Sequence, residues 1–230
     1  MIIRVGSVAA VALLIAMAVV PASAHNPAGT ADDPHLEKFV SPPADGNATA
    51  LIGFHDVAGG DAPGSAQPKA LRIETEANTM AVPSFAGATL RKTGVTGTAL
   101  ADVNRISFKT KGFSGAGAPR LSMELRNGRT AFLASFHCSF EMTPSPWDKA
   151  DFTASPGTDP SCSIFMSAGP PYTTDPTTSA WEKLVAGEGP GIEIQRLQLV
   201  QDEGPAVVWV DDIRFNGIVF SGPNVDTHSH

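Results

Sequence analysis

Cysteine is nearly absent, with two residues in 230. A thiolate metal centre needs more ligands than Cys138, Cys162 and the adjacent His137 supply, and no Cys-x-x-Cys or His-Glu-x-x-His occurs. Charge is sparse at 17%, and Lys and Arg number 16 against 23 Asp and Glu. The basic residues are scattered, as at Arg91, Lys92, Lys109, Lys111, Arg120, Arg126 and Arg129. That excludes the clustered Lys/Arg surface on which nucleic-acid affinity depends. Long apolar runs are missing apart from Val8–Val20, so no membrane span is expected in the rest of the chain. Catalytic signatures are lacking too. Gly112-Phe113-Ser114-Gly115-Ala116 has no final glycine for a hydrolase elbow, and Gly187-Glu188-Gly189-Pro190-Gly191 has no phosphate-loop lysine.

What is present begins with an export pattern. Arg4 precedes the apolar run, and Pro21 and Ala22-Ser23-Ala24 follow it, so residues 1–24 read as a signal peptide cleaved after Ala24. Loss of Arg4, the only charge in that segment, takes the formal charge from −7 to −8. No cysteine follows the cleavage site to carry a lipid. The expectation is a secreted protein, extracellular or at the cell surface. In an oxidising compartment Cys138 and Cys162 are expected to form one disulfide.

Residues 25–49 read as an irregular lead-in, 50–222 as one domain, and 223–230 as a polar tail. Within the domain the apolar period is two. Ile106 and Phe108 alternate with Ser107 and Lys109, and Leu121, Met123 and Leu125 alternate with Ser122, Glu124 and Arg126. Ala50–His55, Ala70–Thr75, Ala88–Lys92, Thr130–Phe136, Ser163–Met166 and Val207–Phe215 read as further strands. Ile192 to Leu199 reads as another, its phase slipping at Gln195-Arg196 as at a bulge. Asn127-Gly128 and Asn216-Gly217 are hairpin turns by composition. Ala180–Ala186 is the one helical segment, with Ser179 as N-cap and Gly187 beyond its end. Pro156–Thr178 reads as a long loop around Tyr172. Many short strands without intervening helices predict an all-β, antiparallel sandwich with long loops and one short helix.

Four segments carry a resemblance: Ala70-Leu71-Arg72-Ile73, Val103–Phe108, Arg120–Leu125 and Val208-Trp209-Val210-Asp211-Asp212-Ile213-Arg214-Phe215. In this order the chain resembles secreted jelly rolls of the galactose-binding-like, carbohydrate-binding-module type over most of residues 50–220. It is also similar to secreted actinobacterial proteins that open a strand on Leu-x-Asp-Val, as at Leu100–Val103. The resemblance implies a jelly roll, an extracellular polysaccharide or envelope component as partner, and a structural calcium near the last strand. The acidic first-strand motif of that group is missing, with Asp56 or Asp61 nearest to it.

The residues leave several site assignments open. Asp211 or Asp212 is a candidate calcium ligand, and the alternative is a rim carboxylate paired with Arg214. Trp147 and Tyr172 are the candidate ligand-binding aromatics, while Trp209 shares the parity of Ile213 and Phe215 and reads as core. Trp181, with Leu184 and Val185, reads as packing. Cleavage after Ala24 would leave His25 at the N-terminus, where amine and imidazole together can chelate copper. His35, His55 or His137 would complete a monooxygenase-like site. The favoured reading is a non-catalytic β-sandwich that binds a glycan or another extracellular ligand. A structural envelope component and the copper enzyme are the alternatives.

Overall fold

A computed structural model of the protein describes residues 34–40, 50–56, 62, 69–76, 84–92, 94–112, 118–135, 138–141, 147–158, 162–202 and 205–220. The elements in chain order are β1 (His35–Val40), β2 (Ala50–His55), β3 (Ala70–Thr75), β4 (Ala86–Arg91), a 3-10 turn (Leu100–Asp102), β5 (Ile106–Lys111), β6 (Arg120–Leu125) and β7 (Thr130–Ala134). They continue with β8 (Ser139–Glu141), β9 (Asp148–Asp151), β10 (Ser163–Met166), β11 (Tyr172–Thr173), α1 (Ala180–Glu188), β12 (Ile194–Gln201), β13 (Ala206–Phe215) and β14 (Ile218–Phe220).

All the strand pairs of the two packed sheets are antiparallel. Sheet A has the order β1-β4-β12-β6-β7-β10-β11. Sheet B has the order β2-β3-β13-β5-β9-β8, with β14 paired to β13. Eight strands carry the fold: β3, β4, β5, β6, β7, β9, β12 and β13. Among these, sheet B runs first-eighth-third-sixth and sheet A second-seventh-fourth-fifth, which is the jelly-roll order. The core lies between the sheets. Leu71, Ile73, Phe108, Val208 and Val210 of sheet B meet Leu121, Met123, Leu133, Leu197 and Leu199 of sheet A in one buried cluster. These are the alternating residues of each strand, because successive side chains point to opposite faces.

The disulfide between Cys138 and Cys162 is formed, closing 24 residues of sequence. Cys138 leads into β8 of sheet B and Cys162 into β10 of sheet A, so the bond ties the two sheets at one border. The helix extends to Glu188, two residues past the expected end. Ser179 and Glu182 form a capping box at its start, and Gly189 rather than Gly187 is the C-cap. Trp181 and Leu184 are buried against the core. The phase slip expected at Gln195-Arg196 is a register shift between Ile194 and Arg196.

One strand falls within the segment read as lead-in. His35–Val40 pairs along its whole length with β4 as the border of sheet A. Only Leu36 of this strand is buried, so its alternation was too sparse to see. Glu37 and Lys38 are the charged residues a border strand tolerates. Tyr172 likewise sits on a two-residue strand rather than in an open loop.

Candidate functional site

The last long strand sets the geometry of the outer face of sheet B. Val208 and Val210 point into the core, and so do Ile213 and Phe215, although the two pairs differ in parity. The change occurs at a register shift between Asp211 and Arg214, where Asp212 takes a positive φ of 50°. Trp209 therefore faces outward, half-buried, and is not a core residue as its parity with Ile213 and Phe215 suggested. Adjacent residues of a regular strand would diverge. At this bulge both Asp211 and Asp212 are instead buried.

Asp212 is the anionic centre of an ion-pair group. Lys109 Nζ lies 2.9 Å from Asp212 Oδ2, and Arg214 donates from Nε at 2.8 Å to Oδ1. The Asp212 backbone N–H donates to Asp211 Oδ1 at 2.6 Å. Lys109 stands opposite Asp211 on one side and Lys149 on the other, and Lys149 pairs with Asp151 at 2.7 Å. The Arg214 pairing foreseen for a rim carboxylate is present, joined by a buried lysine. Both oxygens of Asp212 already meet cations, which leaves neither to calcium, an ion that takes six to eight oxygen ligands. Among the described residues, no three His, Cys, Asp or Glu form a group that could hold a metal ion.

Trp147, a candidate ligand-binding aromatic by sequence, is buried at 2% exposure. It packs with Ala62 and Ala70, and Trp209 lies against the same cluster. A proline-flanked tryptophan in a charged, turn-rich stretch carries no alternation to reveal this burial. The assignments of the two tryptophans are thus exchanged: Trp147 is the buried anchor and Trp209 the surface aromatic.

Around Trp209 the sheet register defines a small grid. Arg72 of β3 and Lys111 of β5 stand directly opposite it on either side. The Arg72 guanidinium lies 5.9 Å from the indole centroid, and the His55 ring meets the indole edge-on at 6.5 Å. Arg72 also pairs with Glu74 at 2.6 Å. Gly53 stands opposite Arg72, and a Cβ there would come within 2.9 Å of His55 Nε2, so the missing side chain lets the imidazole lie down on the sheet. One row further along, Leu51 and Val207 flank Glu74 and are exposed apolar residues of this face. The grid joins an aromatic plate to hydrogen-bonding groups of both charges, with apolar side chains beside it.

Tyr172 lies elsewhere, at the β11 border of sheet A. Its hydroxyl donates to Glu188 Oε1 at 2.8 Å, and Asn127 Nδ2 donates to Glu188 Oε2 at 3.0 Å. Arg129 pairs with the same carboxylate, whose side chain is 1% exposed, and also donates to the Ala168 carbonyl. Burial first, then the hydrogen bond to Glu188, push the Tyr172 hydroxyl above its ordinary value, with Arg129 opposing. A Cβ on Gly187 would come within 2.6 Å of Tyr172 Cε1, so the glycine inside the helix makes room for this ring. Nearby, the hydrogen bond from Lys183, followed by those from Thr177, holds the Asp175 carboxyl well below the usual range. Tyr172 is therefore a clamp between helix, hairpin and border strand.

His25 and His137, the first and one of the further copper candidates, lie outside the described residues. His35 and His55 are exposed on border strands of opposite sheets. No family model, no curated protein and no solved structure matches the chain.

Proposed function

We propose that the protein is an exported, non-catalytic β-sandwich that binds an extracellular glycan on the outer face of sheet B. The observation that carries this reading is Trp209. A half-buried indole stands outside the core, with Arg72 and His55 against it. A sugar ring has an apolar face that stacks on such a plate and hydroxyl edges that bond to side chains like these. The export pattern of residues 1–24 and the disulfide support an extracellular setting. Rigid strands, rather than loops, hold the plate and its neighbours.

The test is a pull-down on a panel of polysaccharides, with calorimetry on those retained. Trp209→Ala should weaken binding by about 5- to 30-fold, given ~1–2 kcal/mol for an aromatic contact of this kind. Tyr172→Phe should leave binding unchanged. Retention that is indifferent to Trp209→Ala overturns this site. Failure to bind any glycan, with the protein found at the cell surface, favours the envelope-component reading.

A further inference from the structure

The grid around Trp209 also bears on which glycan. Trp209 has a cation directly opposite it on each neighbouring strand, Arg72 on β3 and Lys111 on β5. Neighbouring strands lie roughly 4.8 Å apart, so these side chains leave the sheet within about 10 Å of one another. His55 adds a third basic group against the indole edge. This gathering occurs in a chain whose formal charge is −7.

Among the described residues, three carboxylates on the neighbouring strands are held differently. Asp212 is buried and held by Lys109 and Arg214, and Asp211 faces Lys109 across the strand pair. Glu74 is the carboxylate on Arg72, and that pair is partly open to solvent, with side chains 31% and 40% accessible. Exposed pairs contribute little and are screened by solvent, so an incoming carboxylate can take the place of Glu74 on the guanidinium. A planar carboxylate is also the group that guanidinium receives best, through two parallel hydrogen bonds.

We propose that this face takes a polyuronate, a glycan whose sugar rings carry carboxylates. A ring lies against the Trp209 indole with its carboxylate between Arg72 and Lys111. The inference rests on the glycan reading above and goes beyond it by naming the ligand's charge. Glu74 acts as an internal competitor for Arg72.

The experiment uses the disulfide-intact protein with polygalacturonate, alginate and fully methyl-esterified polygalacturonate, which keeps the backbone and removes the charge. Affinity for polygalacturonate or alginate should exceed that for the ester by about fivefold or more and fall as salt is raised. Arg72→Gln and Lys111→Gln should each remove most of that difference. Glu74→Gln should strengthen binding to the acid form and leave the ester unchanged. These are exposed or half-buried positions, and equal melting curves will show that each variant is folded. Equal affinity for acid and ester overturns the charge inference and leaves the glycan reading intact. Binding to neutral polysaccharides only has the same meaning. Failure to bind polyuronate, ester and neutral glycans alike overturns both. Polyuronate binding that Trp209→Ala and Arg72→Gln leave unchanged overturns the assignment to this face.

Discussion

At the corner where α1 meets the β6–β7 hairpin, the side chains are spoken for several times over. Glu188 receives Arg129, Tyr172 and Asn127 together, Ser179 and Glu182 cap the helix reciprocally, and the disulfide ties the sheets nearby. The outer face of sheet B is built in two levels instead. Its floor at the bulge is a buried ionic group, whereas Arg72, Glu74, Lys111 and Trp209 above it are half-buried, with Arg72 paired to Glu74 and set against the indole. The two aromatics differ accordingly. Tyr172 is consumed by the clamp, while Trp209 is held from one side and keeps part of its surface in water.

The comparison can be broken at the floor, where the largest effect is expected. Asp212→Ala leaves Lys109 and Arg214 without their shared carboxylate in a buried setting, which should cost about 3–5 kcal/mol. Chemical denaturation measures this directly, and chelator should leave the wild-type curve in place. A loss under 1 kcal/mol would mean that the floor is solvated and that the two levels are not distinct. Joint replacement of Cys138 and Cys162 by serine comes next. Closing 24 residues stabilises the fold by roughly 3–4 kcal/mol in the chain-entropy model, so the melting temperature should drop by about 10 °C. Binding at the Trp209 face should survive below the new transition, because the bridge lies at the other border of the sheets. The smallest effect sharpens the contrast. Gly187→Ala forces Tyr172 away from Glu188 and should cost about 1–3 kcal/mol by overpacking. It should not touch glycan affinity, and a parallel fall in binding would join the two regions that the structure keeps apart.

Much of the scaffold could be read from local pattern. The alternation of Ile106 with Ser107 and of Leu121 with Ser122 placed strands where β5 and β6 run, and Ser179 as N-cap opened the helix where it forms a capping box with Glu182. Gly187 misled because it looked like a stop signal. Its true role, clearance for a ring fifteen residues upstream, is set by packing. The candidate site was less legible. Trp209 was assigned to the core by a parity count that holds only while the strand stays regular, and nothing in Asp211-Asp212 announces a bulge.

The fold class was written in the sequence: period-two strands, turn chemistry and a cysteine pair. These depend on near neighbours along the chain or on composition, and both survive without a three-dimensional frame. Packing in three dimensions sets which tryptophan is buried, which carboxylates meet cations and which face carries a half-open aromatic. Each of those depends on strand register, and a single extra residue in one strand of a pair turns every later side chain to the other face. At Asp212 that residue turned Trp209 outward relative to Ile213 and Phe215, and with it the surface on which the proposed function rests.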